Sequence, residues 1–316
     1  MEQEHSGPTS DVWQKPEINT YNSISTFMRC PSDFGEDGSA DVVISGIPFD
    51  LATTYRPGAR FGPGAIRAAS AQLARRKMFP WGFNPLDRLR GVDLGDLQLD
   101  AHHPLVIYEQ IRTHALSILH RDVKLLSFGG DHFVSYPLLA TFAEFIGQPM
   151  HLLHFDAHTD TWPDESRESI SHGTMFYKAV KEGLIDVNHS VQVGIRTWND
   201  DTLGIHQLPA PMVHEFSEKD LVGRIREILG DGPVYLTFDI DCLDPATAPG
   251  TGTPVLGGLS NPQVLGILRG LEGLNLVGAD VVEVAPIYDH GEITAIAAAH
   301  IAGEILCLFA TSSPHK

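Results

Sequence analysis

The chain reads as one α/β domain built on a doubly wound, mainly parallel sheet with helices on both faces. Three observations predict this. Short apolar runs alternate with helical patterns along nearly all of the 316 residues, the order that builds β-α-β units. Several runs are apolar at both odd and even positions, as parallel strands covered on both faces must be. No internal repeat, low-complexity tract or linker divides the sequence, and its 42% hydrophobic content is enough for one large core.

Residues 1–20 are polar and read as an arm, leaving residues 21–316 as a single domain. Strand-like runs follow at "DVVISGIPF" (41–49), "VKLLSFGG" (123–130), "HLLHFDAH" (151–158), "VQVGIRT" (191–197), "PVYLTFDID" (233–241) and "LVGADVVEVAP" (276–286). Helical patterns lie between them, at 62–77, 104–121, 136–147, 218–230, 261–273 and 293–310. The first opens with Pro63 in its first turn, where a missing N–H costs nothing. It closes on Arg75, Arg76 and Lys77, read as the solvated end of that helix.

Composition excludes several functions. The net charge is −18, and beyond 75–77 no Lys/Arg cluster offers the basic face of a nucleic-acid binder. The acidic balance suits a cationic substrate. Three cysteines, Cys30, Cys242 and Cys307, are too few and too scattered for a disulfide framework, so a reducing cytoplasm is expected. The N-terminus has no basic start and no apolar stretch of a secretory signal. No run is expected to reach the ~20 apolar residues of a membrane span.

In a doubly wound sheet the ligand site lies beyond the carboxyl ends of the strands. Four runs end there in polar chemistry: Asp131-His132, then "DAHTD" (156–160), then Asp239-Ile-Asp241, then Glu283. In "HFDAHTD", residues 154, 156, 158 and 160 alternate, so they share one face of an extended chain. Carboxylates gathered in one cleft repel unless cations stand between them. Two divalent ions ~3.5–4 Å apart answer the demand. The oxygen-rich donor set, with two imidazoles and no suitable thiolate, favours Mn²⁺ over a structural Zn²⁺, with Fe or Co as alternatives and Ni less favoured. His154 is read as a core or supporting histidine and Asp244, before Pro245, as a turn former. The 250–254 glycines shape a loop rather than cradle phosphate, since no helix carrying Lys follows. His102, His103, His206 and His290 are read as incidental.

The stretches "GGDH" (129–132), "DAHTD" (156–160), "SHGTMF" (171–176), "FDIDCLDPATAPGTGTP" (238–254) and "EVAP" (283–286) closely resemble the ureohydrolases, the family of arginase and agmatinase, from about residue 25 to 310. Within it the bacterial agmatinases are most similar, through "GGDHFVSYPLL", "HFDAHTDT", "KEGLID" and "PVYLTFDIDCLDPA". The resemblance implies a three-layer α/β/α sandwich with a mainly parallel eight-stranded sheet, assembled as a homotrimer or homohexamer. It implies two Mn²⁺ per subunit: one on His132 and Asp160, the other on His158 and Asp241, with Asp156 and Asp239 bridging. His172 would carry a proton to the leaving amine, Glu283 would pair with a guanidinium, and Asp160 would serve catalysis as well as ligation. The implied reaction is hydrolysis of agmatine to putrescine and urea. A 4-guanidinobutyrate hydrolase is the nearest alternative; a formimino hydrolase or a non-catalytic relative stands further off.

One loop departs from the arginases. "TWPDESRESIS" (161–171) lacks the polar run with which they read an amino acid, which argues against arginine. Its Asp164, Glu165 and Glu168 suit an ammonium tail, whereas its Arg167 suits a carboxylate.

Overall fold

The structure is a computed structural model and describes residues 24–36, 38–100, 104–166 and 168–312. The expected arm, Arg167, His102 and His103 lie outside the described residues. A single sheet of eight parallel strands runs through the molecule. The strands are β1 (Val42–Ile47), β2 (Gly91–Asp96), β3 (Lys124–Gly129), β4 (His151–Phe155), β5 (Val191–Val193), β6 (His206–Leu208), β7 (Val234–Asp239) and β8 (Leu276–Val282). Their order is β2-β1-β3-β8-β7-β4-β5-β6.

Alternation along each strand divides the core in two. Val42 and Ile44 join Leu126, Phe128, Leu153 and Phe155 on one face. There α1 (Gly62–Ser70), α6 (Glu218–Leu229), α7 (Asn261–Gly270) and α8 (Ile293–Thr311) pack through Ile66, Ile225, Ile267 and Ile305. Val43, Leu125, Leu152 and Tyr235 take the other face, under α2 (Pro104–Leu119), α3 (Ser135–Ile146) and α4 (Met175–Lys181). A three-layer α/β/α sandwich follows from the period of two in a strand buried on both sides.

Several boundaries differ from the sequence reading. The first helix ends at Ser70 and tightens into a 3-10 turn at Ala71–Leu73. Arg75–Lys77 are therefore solvated in the following loop rather than on the helix, and Arg75 has φ +60°. The fourth run stops at Val193 because Gly194 turns the chain at φ +98°. The last stops at Val282, where Glu283 adopts φ +62°. Strands β2 and β6, α4 and α5 (Ala210–Glu215) are additional. Strand β2, "GVDLGD", hides in sequence because Asp93 is charged. In the fold Asp93 is fully buried against Arg67, which it receives through two bonds of 2.8 and 3.0 Å.

Among the described residues α8 alone is long and apolar enough to cross a membrane, contrary to the expectation that no run reaches that length. It is 72% buried, as the all-round apolar surface of a core helix requires.

Candidate active site

Strands β3, β8, β7 and β4 are consecutive in the sheet, and each delivers a polar residue past its carboxyl end. The "GG" of β3 is there for close approach: a Cβ on Gly130 would lie 1.6 Å from the Phe49 carbonyl oxygen. Asp131 then caps a 3-10 turn by accepting from Phe133 N, which swings His132 inward. Asp239 caps another and places Asp241 beside it, accepting from Asp241 N at 2.8 Å. Asp160 and Glu283 both sit in left-handed backbone, φ +53° and +62°. Such strain costs about 1–3 kcal/mol per non-glycine residue and gathers where geometry matters for function.

Around His132 Nδ1 stand three carboxylate oxygens: Asp156 Oδ2 at 3.1 Å, Asp160 Oδ2 at 3.1 Å and Asp239 Oδ2 at 3.2 Å. Nδ1 is buried yet has no hydrogen bond of proper geometry. Nδ1 and three carboxylate oxygens thus face one point. A second focus lies beside it, where His158 Nδ1 is 3.1 Å from Asp241 Oδ2 and 3.3 Å from Asp156 Oδ1. Asp156 spends one oxygen on each focus. Two groups here could hold a metal ion: His132, His154, Asp156 and Asp160 in one, and Asp156, His158 and Asp241 in the other.

The electrostatics require positive charge here. Burial, together with the charges of Asp241 and Asp156, pushes Asp239 well above the usual carboxylate range. Asp241 is raised by burial and by Asp156. Burial lowers the pKa of His158, but Asp241 and Asp156 outweigh it and carry it up to about 12. Carboxylates this close either take protons or share cations.

Supporting groups fix the imidazoles. His132 Nε2 lies 2.8 Å from Thr237 Oγ1, which itself donates to Asp280. Asp280 also receives the hydroxyls of Ser135 and Tyr235. His154 is fully buried: Gln192 Nε2 donates to its Nδ1 at 3.1 Å, so its Nε2–H faces Asp156 Oδ2 at 2.7 Å. Asp244 makes its turn by accepting from the Ala246, Gly257 and Gly258 amides.

Glu283 Oε1 accepts from His132 N and from His172 Nδ1, both at 2.9 Å. Glu283 Oε2 is buried and unpartnered. Burial lowers the pKa of His172, but Glu283 more than compensates and raises it to about 9. In the 161–171 loop, Asp164 is consumed internally, accepting from Ser169, Thr174 and Lys178. Glu165 accepts from the Tyr177 hydroxyl. Glu168 is exposed, and no hydrogen bond or ion pair of its carboxylate is found among the described residues.

Sequence reasoning did not single out Thr54, Thr237, Asp280, Gln192 or Lys178. Thr237 shares strand parity with Asp239, and Asp280 is a charge inside an apolar strand; both were readable signals. Thr54 gave none, because only the fold brings its loop to His172.

A parallel α/β/α sandwich carrying a buried two-focus His/Asp centre at its central strand ends defines a class of metal-dependent hydrolase. The profile of the Arginase family matches residues 40–308, and the chain belongs to that family. It is 60% identical over 290 residues to an agmatinase of Chromobacterium violaceum, covering 92% of this chain and 90% of that one. Its fold matches the crystal structure of a hypothetical agmatinase from Burkholderia thailandensis with a TM-score of 0.89, 59% identity and 92% of each chain covered. Proclavaminate amidino hydrolase from Streptomyces clavuligerus matches with a TM-score of 0.87 and 39% identity, over 93% of this chain and 99% of that one.

Proposed function

We propose that this protein hydrolyses agmatine to putrescine and urea, using two Mn²⁺ ions per subunit. The carrying observation is the orphaned Glu283 Oε2, a buried anionic acceptor beside His172 and the two-focus donor cluster. The 60% identity to an agmatinase supports the same reading.

His132 and Asp160 would hold one ion, His158 and Asp241 the other, and Asp156 and Asp239 would serve both. The donor chemistry fits: hard oxygens with two imidazoles suit Mn²⁺. Bound there, the ions would supply a hydroxide-strength nucleophile at neutral pH. Glu283 Oε2 accepts from the guanidinium and turns its carbon toward the cluster. Asp160, besides ligation, accepts the attacking water's proton. His172 provides the proton without which an amine cannot leave. Asp164 braces its own loop, so of that loop's acids Glu168 is the one available to meet the tail ammonium. The working assembly is a homotrimer or homohexamer in the cytoplasm.

The test is urea release from agmatine, 4-guanidinobutyrate, 3-guanidinopropionate and arginine by Mn²⁺-reconstituted protein. Agmatine should lead by roughly ten- to a hundredfold, as expected of a partly desolvated tail ion pair. A preference for 4-guanidinobutyrate would move the assignment to the guanidino acids and to Arg167.

A further inference from the structure

His172 has neither ring nitrogen directed at open solvent. Its Nδ1 faces Glu283 Oε1 at 2.9 Å. Its Nε2 faces Thr54 twice, the backbone N at 3.1 Å and Oγ1 at 2.8 Å. A backbone N–H can only donate, whereas a hydroxyl both donates and accepts. The pair therefore serves both charge states of the ring. When His172 is neutral, with its proton on Nδ1, Nε2 accepts from the Thr54 N–H. When it is cationic, Nε2–H donates to Thr54 Oγ1.

The loop carrying Thr54 is held rigidly. His172 N donates to Ala52 O at 3.2 Å, and Ala52 N donates to the buried Asp131 Oδ2 at 2.8 Å. Asp50, 2% exposed, accepts from Gly58 N at 2.8 Å and ties off the far end. Thr54 itself is exposed, so water reaches its outer side.

The geometry points to Thr54 as a further catalytic residue of the proton-transfer step, its hydroxyl relaying the proton between His172 and the leaving nitrogen. This rests on the amidinohydrolase reading above. As the C–N bond breaks, its electron pair goes to the leaving nitrogen, which takes the Thr54 hydroxyl proton. Thr54 Oγ1 takes the Nε2 proton in the same step. His172 is left neutral, Nδ1–H still on Glu283, and water at the exposed Thr54 restores the proton.

The charged groups facing His172 are the carboxylates of Glu283, Asp160 and Asp131; among the described residues Thr54 alone offers Nε2 a neutral acceptor. Removing the hydroxyl should therefore disfavour the cation while leaving the Thr54 N–H in place.

The test compares wild type with Thr54→Val, Thr54→Ala and Thr54→Ser as Mn²⁺-loaded enzymes on agmatine. Val and Ala should lower kcat roughly ten- to a hundredfold and leave KM within about threefold. The basic limb of the kcat profile should move down by about one pH unit. Ser should restore both kcat and the limb, which a purely structural role would not require. A Thr54→Val enzyme with wild-type kcat and an unmoved limb overturns the inference. If wild type releases no urea from agmatine, the functional reading falls instead. Thr54 is then judged without substrate, by ¹⁵N titration of His172 in Mg²⁺-loaded protein. A midpoint lowered by about one pH unit in Thr54→Val sustains the inference, and an unchanged midpoint removes it.

Discussion

The Nε2–H of His132 donates to Thr237 Oγ1 at 2.8 Å, and the Thr237 hydroxyl in turn donates to Asp280 Oδ1 at 2.5 Å. This chain fixes the tautomer: with its proton on Nε2, His132 turns a bare Nδ1 lone pair toward Asp156, Asp160 and Asp239. Thr237→Val keeps the side chain's shape and breaks the chain. It should weaken Mn²⁺ affinity roughly ten- to a hundredfold, the usual cost of losing a partner behind a metal-binding histidine. Chelator competition measures this; an unchanged affinity would mean the tautomer is set elsewhere.

The two foci predict distinct metal contents. Asp156 places one oxygen on each focus, so Asp156→Ala should cost both ions. Asp239→Ala should also damage both, on the bridging assignment. Asp241 Oδ2 stands at the second focus, 3.1 Å from His158 Nδ1, so Asp241→Ala should leave close to one ion per subunit. Elemental analysis after gel filtration decides, and equal losses in all three variants would contradict the division.

Glu283→Gln should retain both ions and lose catalysis by roughly 10²–10³-fold in kcat, the scale of removing one preorganised electrostatic partner. The amide oxygen can still accept from His132 N and His172, while an NH₂ group replaces the anionic Oε2. Wild-type kcat/KM in this variant would take Glu283 out of the substrate site.

Arg67 is 4% exposed and paired with the wholly buried Asp93. Arg67→Ala strands that carboxylate beneath β2 and should destabilise the protein by about 3–5 kcal/mol. The urea midpoint reads the loss, and Arg67→Ala combined with Asp93→Ala should recover part of it.

Asp164→Asn should loosen the 161–174 loop, because Lys178 loses its charged acceptor. Trypsin should then cut after Arg167 faster than in wild type, with metal content unchanged. Equal cutting rates would show that the backbone bond from Trp162 N to Gly173 O closes the loop unaided.

The central sheet was legible in the sequence because its strands are apolar on both faces and end in charges. Every strand that carries a donor was found, and each donor read from "GGDH", "DAHTD" and "DID" stands at the cluster. What stayed hidden was local or non-local in particular ways. Strand β6 is three residues long, too short to show a period. Strand β2 is disguised by Asp93, whose partner Arg67 lies on a helix 26 residues away. The internal use of Asp164 depended on Lys178, which a count of loop charges at 161–171 does not include. Thr54 meets His172 across 118 residues of sequence, a distance at which no pattern operates.

Strand β8 lies between β3 and β7, although none of the six proposed ligands is on it. On a growing polypeptide His132, the DAHTD segment and Asp239 all leave the ribosome before β8 does. Five of the six stand behind β4 and β7, which pair directly, so they can gather before β8 is made. His132 cannot join them, because its strand β3 reaches β7 only through β8. A truncated chain ending before residue 276 should therefore carry every proposed ligand and still lack His132 at the cluster, so the first focus is completed only in chains whose synthesis is all but finished.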